Sequence, residues 1–367
     1  MDEKQKRITL RLNDDHVALF SLRWLRDTCA CEECVHPVTK QRLQQVGDSR
    51  DVRFVSLSKR DEDWAFQFDG HVTVHSDAWL RRHCQCASCS QSKASPESVV
   101  LRHGAKAWGG DWQPLQLETE RWDEAALTAL VEGLWRDGIC LVSGLARERG
   151  TVERFAEKIG YLRETNYGRT FDVEAIADPE HLAYTGVALP LHTDNPYRDP
   201  APGIQLLHCI DAASEGGESL FADGYFAALR LQQEAPASFA TLARLRVPFR
   251  YRDTACDHQY QRPLIETVAG RICAFYFNDR SMQPLPFPVD DVDGFYEAYE
   301  QLERLISANT IRLRLQPGQL VIFDNRRVLH GRGAFSVDGG RRLLQGCYMD
   351  WDAVLGRARI WGATFES

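Results

Sequence analysis

Nowhere in the 367 residues does an uncharged apolar run approach the roughly 18 positions needed to cross a bilayer. The richest stretch, AALTALVEGLWRDGIC, is broken by Glu132, Arg136 and Asp137. No apolar segment follows the charged start MDEKQKR, so no secretory leader is expected. Basic charge is scarce as well. The chain has 44 Lys and Arg against 52 Asp and Glu, a net charge of −8, without the basic footprint that grips a nucleic-acid backbone. Hydrophobic residues at 44% and charged residues at 26% exclude wholesale disorder and permit a packed core. These absences point to a soluble, cytoplasmic protein with neither nucleic acid nor membrane as partner. Its length suits one large domain and a small one.

What the chain does have is eleven cysteines, six of them in two short clusters. In a reducing compartment, clustered cysteines read as metal ligands before disulfides. The clusters belong to an internal repeat. HVALFSLRWLRDTCACEEC from His16 and HVTVHSDAWLRRHCQCASC from His71 align without a gap at an offset of 55. His16 pairs with His71, Trp24 with Trp79, and Cys29, Cys31 and Cys34 with Cys84, Cys86 and Cys89. Each copy opens on strand signals: RITLRL alternates with Ile8, Leu10 and Leu12 on one face, and WAFQF-Asp69-Gly70-HVTV reads as a hairpin. Each C-x-C-x-x-C loop aims three thiolates at one point, and zinc needs a fourth ligand. His71 is expected to complete the first set and, if the repeat is two-fold, His16 the second. Such closed sites are structural. The SQSKASPES segment and the Gly- and Trp-rich stretch after it set the boundary near residue 105: a small zinc-binding β domain over 1–105, a larger domain over 106–367.

From residue 120 the pattern changes. WDEAALTALVEGLWRDG predicts a helix with Leu127, Leu130, Val131 and Leu134 on one stripe and Gly138 as its C-terminal cap. Thr151 is placed to cap a second helix that Gly160 ends. Short strands follow: GIQLLHC, ESLFADG, RICAFYF, IRLRL, QLVIFD and RRLLQGCYM. A mainly β architecture with flanking helices, a jelly roll or double-stranded β-helix, is expected.

His192 and Asp194 form H-x-D, and on extended chain residues two apart share a face. His330 follows an apolar strand in NRRVLHGR. Two histidines and one carboxylate on one face of an octahedron leave adjacent positions open, the pattern suited to iron(II) that must take a bidentate co-substrate and oxygen. Arg342, on the next predicted strand, has the planar fork to hold the far carboxylate of 2-oxoglutarate, with Arg341 as fallback and Ser219 adding a hydroxyl.

With these residues in hand, the chain resembles the γ-butyrobetaine hydroxylase and trimethyllysine hydroxylase family of 2-oxoglutarate oxygenases over almost its full length. The likeness lies in WLRDTCACEEC, RETNYGRTF, LHTDNPYRDPAPGIQLLHC, GGESLFADG, FDNRRVLHGR and QGCYMDWD. The resemblance implies a zinc domain, ligated by Cys29, Cys31, Cys34 and His71, on a double-stranded β-helix catalytic domain. It also implies that Tyr167, Phe171, Tyr184 and Tyr348 form an aromatic cage for a trimethylammonium group. Ring faces suit such a cation because it has no hydrogen to donate, at about 0.5–2 kcal/mol each. The second cysteine set goes beyond the family pattern.

The sequence departs from that pattern after H-T-D, where Asn195 stands in place of Tyr, Leu or Thr. With Arg198, Asn278 and Arg280 it suits a strongly anionic tail: a carboxylate, or a phosphonate as in the related 2-(trimethylamino)ethylphosphonate hydroxylases. Hydroxylation of a γ-butyrobetaine-like substrate is the leading expectation, with 2-(trimethylamino)ethylphosphonate or trimethyllysine as the alternatives. Asp194 fills the position a halide would need, which disfavours halogenation. Expected partners are the quaternary ammonium substrate, 2-oxoglutarate and O2, with a homodimer as the assembly and ascorbate as a stimulant. Two rival readings are a zinc-dependent interaction module on an inactive barrel and a metal hydrolase. Neither gives Arg342 a task.

Overall fold

The computed structural model describes residues 6–49, 53–94, 108, 112–118, 121–174, 187–213, 215–335, 341–363 and 365. The chain divides into two compact units, Met1–Val99 and Val100–Ser367. The boundary expected near residue 105 lies outside the described residues.

The first unit contains a hairpin, Arg7–Arg11 with Val17–Ser21, and a three-stranded sheet of Phe54–Arg60, Asp63–Phe68 and His71–Ser76. Alternation decides the faces. Ile8, Leu10 and Leu12 are buried together with Phe20, Phe66 and Phe68 in one core. The Asp69-Gly70 turn forms as expected, with Gly70 at φ 72°. Two short helices, Leu22–Asp27 and Asp77–Arg82, repeat the 55-residue offset, each capped by a serine hydroxyl (Ser21, Ser76) accepting from the Trp24 or Trp79 amide. Their tryptophans stack on each other at 5.3 Å.

The second unit is built on two facing sheets. The larger runs Leu115–Glu118, Ile139–Ser143, Leu320–Asp324, Ile204–Asp211, Leu343–Met349 and Leu162–Arg163, with Phe171–Glu174 also paired to Leu343–Met349. The smaller runs Leu189–His192, Val328–Arg332, Ser219–Asp223 and Ile311–Leu313. Phe221 of one meets Phe323 of the other edge-on at 5.5 Å, inside a core that includes Leu207 and Leu344. This is the expected jelly roll. The helix Glu124–Asp137 packs on the outer face of the larger sheet. Its stripe Leu127, Leu130, Val131 and Leu134 is buried, and Gly138 ends it at φ 80°.

Two details differ from the sequence reading. Gly150, not Thr151, is the N-cap of the helix Thr151–Ile159; Thr151 is its first residue, and its hydroxyl accepts from Arg154 instead. The strand Arg271–Phe275 stays out of both sheets and pairs with Ile265–Val268. It belongs to a long excursion between Asp223 and Ile311 that also holds the hairpin Val247–Arg252/Asp257–Arg262 and the helix Val289–Ala308. A fully buried ion pair, Arg327 Nη2 to Asp223 Oδ2 at 2.7 Å, fixes the turn before the Val328–Arg332 strand.

Candidate active site

The smaller sheet sets His192 and His330 directly opposite each other in antiparallel register. Their rings lie 4.2 Å apart. The chain leaves the sheet after His192, and Asp194 turns back toward both imidazoles: its Oδ1 is 3.2 Å from His192 Nε2 and its Oδ2 3.7 Å from His330 Nε2. All three ligand atoms lie within 4.8 Å of one another. The Pro190 carbonyl accepts from His192 Nδ1 at 2.8 Å, which leaves Nε2 as the lone-pair donor. Burial pushes the Asp194 carboxyl up, but His330, His192 and the Tyr348 hydroxyl outweigh it and hold it far below the usual carboxylate range. Burial, aided by His192, pushes His330 down to about 3. Two imidazole nitrogens and a carboxylate are a donor set suited to a divalent metal, and three converging ligands leave room for others.

The Asp194 backbone is clamped. Its amide donates to Asn325 Oδ1 at 2.7 Å, and Asn325 Nδ2 donates to the carbonyls of Asp194 at 3.0 Å and Pro202 at 3.1 Å. Thr193 is zipped to the excursion through Phe277 and Asn278.

A cavity of about 370 Å³ opens on this centre, lined by both sheets and the excursion. Arg342 and Ser219 line it, as expected. Arg342 is buried, and among the described residues no carboxylate pairs with it. Burial, then the like charge of Arg332, brings its pKa down to about 10, still charged at neutral pH. Arg332 is the residue the sequence reading missed. It lies two residues beyond His330 on the same face, directly across from Ser219, and lines the same cavity. Arg341, the fallback, is tied at the surface to Glu174 at 2.6 Å and takes no part.

Three of the expected cage aromatics, Tyr167, Phe171 and Tyr348, line the cavity. Tyr184 lies outside the described residues. Phe171 stacks on Tyr348 at 5.0 Å. The ring fits only because residue 346 is glycine: a Cβ there would sit 2.5 Å from Phe171 Cζ. Tyr348 also donates its hydroxyl to Asp194 Oδ2 at 2.7 Å, joining the aromatic wall to the metal centre. Two further rings were not foreseen. Tyr197 and Tyr251 stack at 5.3 Å beside Tyr167 and extend the wall. Tyr251 arrives on a hairpin far along the chain, and no local pattern marks it.

At the polar end, Asn195, Asn278 and Arg280 line the cavity. Asn278 is already engaged, donating to the Thr193 carbonyl and accepting from the Ser281 amide. Asn195 differs: its Nδ2 is buried, with no hydrogen-bond partner among the described residues, while its Oδ1 accepts from Tyr197. A buried orphan donor on a cavity wall calls for an acceptor. Arg198 must be corrected. It does not line the cavity, but bonds Asn166. Asn195 stands at φ 58°, and the Arg198 amide closes a turn onto the Asn195 carbonyl at 3.1 Å, which carries the arginine outward.

The first unit holds two further sets of ligand atoms. His71 Nε2 lies 3.2, 3.8 and 3.6 Å from the sulfurs of Cys29, Cys31 and Cys34, and His16 Nε2 lies 3.3, 3.7 and 3.4 Å from those of Cys84, Cys86 and Cys89.

A double-stranded β-helix whose inner face carries a two-histidine, one-carboxylate centre defines a class, the mononuclear metal-dependent oxygenases. The family model described as taurine catabolism dioxygenase TauD, TfdA family matches residues 101–348, and that of the γ-butyrobetaine hydroxylase-like N-terminal domain matches residues 1–73. The chain belongs to the TauD, TfdA dioxygenase family. It is 34% identical over 364 residues to the γ-butyrobetaine dioxygenase of Pseudomonas sp. (strain AK-1), covering 95% of this chain and 91% of that protein. The human γ-butyrobetaine dioxygenase is 30% identical, covering 95% and 92%. The mitochondrial trimethyllysine dioxygenase of Gallus gallus is also 30% identical, covering 96% and 87%. Among solved structures, an asparagine oxygenase shares the fold at a TM-score of 0.52 and 19% identity, over 64% of this chain and 82% of that one.

Proposed function

We propose that the chain hydroxylates a C–H bond of a small trimethylammonium substrate with an anionic tail, using iron(II) at His192, Asp194 and His330 and 2-oxoglutarate held by Arg342. One observation carries this reading: the metal triad, the buried Arg342 and the aromatic wall share one cavity of about 370 Å³. When bound, the ferrous ion with 2-oxoglutarate and O2 supplies the oxidising chemistry, giving succinate, carbon dioxide and a hydroxylated product. The chain's own residues supply position. Arg342 offers two parallel N–H bonds to a carboxylate, with the Ser219 hydroxyl lining the same cavity from the facing sheet. Ring faces of Phe171, Tyr167 and Tyr348 attract the cation but cannot bond it directionally, so the anionic end must fix the register along the pocket.

A γ-butyrobetaine-like substrate is the leading candidate, following the relatives of that name. A phosphonate tail is a second reading, favoured by Asn195. Its unpartnered Nδ2 and the Arg280 guanidinium on the same wall suit a group with three acceptor oxygens. Succinate release with γ-butyrobetaine, trimethyllysine and 2-(trimethylamino)ethylphosphonate tests the proposal. Turnover with one of the three is expected; none with any, under added iron and 2-oxoglutarate, overturns it. The same proposal includes structural zinc at Cys29, Cys31, Cys34 and His71, stimulation by ascorbate, and a homodimer, the last checked by light scattering.

A further inference from the structure

We infer that His16, Cys84, Cys86 and Cys89 form a second closed zinc centre, and that the two centres lock the halves of the N-terminal repeat together. The N-terminal family match spans residues 1–73, so it includes His16 but none of the three cysteines of this set.

The geometry is that of a coordination shell. A tetrahedral zinc with sulfur at about 2.3 Å and nitrogen at about 2.0 Å separates its ligands by roughly 3.6 Å. The His16 Nε2 to sulfur distances are 3.3, 3.7 and 3.4 Å, and all four ligand atoms lie within 4.8 Å of one another. Cys84 belongs to the core and Cys86 and Cys89 pack against it, but packing alone does not aim all three sulfurs at His16 Nε2. Cys84 is buried, but Cys86 and Cys89 are partly exposed, and none of the three is in a disulfide. Three sulfurs and an imidazole nitrogen that converge on one point without a disulfide form a shell that a cation would fill. Three soft thiolates and an imidazole with no open position select zinc in a structural role.

The surroundings repeat as well. Arg26 Nη1 donates to Cys34 Sγ at 3.4 Å, and Arg81 Nη1 to Cys89 Sγ at 3.5 Å, 55 positions on. Each arginine offsets the net negative charge that three thiolates leave on a divalent ion. The partners are also exchanged. His71, in the second repeat, meets the cysteines of the first; His16, in the first, meets those of the second. Each metal therefore ties one repeat's strands to the other's C-x-C-x-x-C loop, with the Trp24–Trp79 stack between equivalent helices.

Zinc counted by mass spectrometry on the full-length chain, with X-ray absorption at the zinc edge, tests this. Two zinc ions per chain are expected, averaging three sulfurs and one nitrogen each. Cys86→Ser and His16→Ala should lower the count to one or none. A wild-type count of one overturns the inference, as does an average below three sulfurs. So do two ions retained by both variants. Should the variants fail to accumulate, the wild-type count and its sulfur number still decide.

Discussion

Asn325 holds Asp194 by both its backbone amide and its backbone carbonyl, at 2.7 and 3.0 Å, from the turn that leads into the His330 strand. One side chain thus sets the distance between the carboxylate ligand and the strand of the distal histidine. Because Asp194 lies beyond the sheet's hydrogen bonds, nothing in the ladder would otherwise fix it.

Replacing that amide should therefore weaken the metal site without touching its ligands. For Asn325→Ala, iron affinity is expected to fall about 10–100-fold, the usual effect of losing a partner that orients a ligand. Turnover at saturating iron should recover in part, and zinc content should not change. Iron titration monitored by succinate release checks this. An unchanged iron requirement would remove Asn325 from the site.

Arg342→Met should raise the KM for 2-oxoglutarate by two orders of magnitude or more, since a buried charged hydrogen bond contributes about 1.5–3 kcal/mol and a bidentate pair makes two. Arg342→Lys keeps the charge and loses the fork, so it should rescue only a fraction. Full rescue would show that charge alone suffices. Arg332→Met should act in the same direction more weakly, because its Nη2 already donates to the Val187 carbonyl at 2.7 Å.

Gly346→Ala is a test of the aromatic wall from behind. The added methyl would overlap Phe171, and the ring must move. The KM for the trimethylammonium substrate should rise at least tenfold while that for 2-oxoglutarate changes little, with about 1–3 kcal/mol of stability lost to overpacking. Equal rises in both would place Phe171 outside the substrate site.

Asn195→Leu and Arg280→Met probe the other end. Both should raise the KM for an anionic-tailed substrate and leave the 2-oxoglutarate KM unchanged. If the tail is a phosphonate, losing either donor should cost more than with a carboxylate of similar length. Side-by-side kinetics on the two substrates reads the difference.

Much of this site was legible in the chain because its ligands obey short-range rules. The H-x-D spacing puts two ligands on one side of an extended segment. Neighbours on chain leading into the Leu343–Met349 strand part company: Arg342 lines the cavity, while Arg341 pairs with Glu174 at the surface. The H-x-D spacing rule applied to His330 would have found Arg332, two residues further on. The 55-residue repeat sets each histidine against the other copy's cysteines, which is how both Cys3His groups could be read from the chain. Other features are set by distant chain. Tyr251 and Arg250 reach the cavity on a hairpin with no motif to announce it. Arg198 faces away because Asn195 adopts a left-handed conformation, which a residue pattern does not encode. Asn325 sat within the FDNRRVLHGR motif, but its grip on Asp194 spans 131 positions and appears only in the fold.

The most direct test is to add ferrous iron and 2-oxoglutarate to the purified chain under anaerobic conditions and record its visible absorbance. A metal-to-ligand charge-transfer band should appear only when both are present, and should be lost in His330→Ala while its zinc content stays at the wild-type value. No band from the wild-type chain, or an undiminished one from His330→Ala, would contradict an iron centre built from His192, Asp194 and His330.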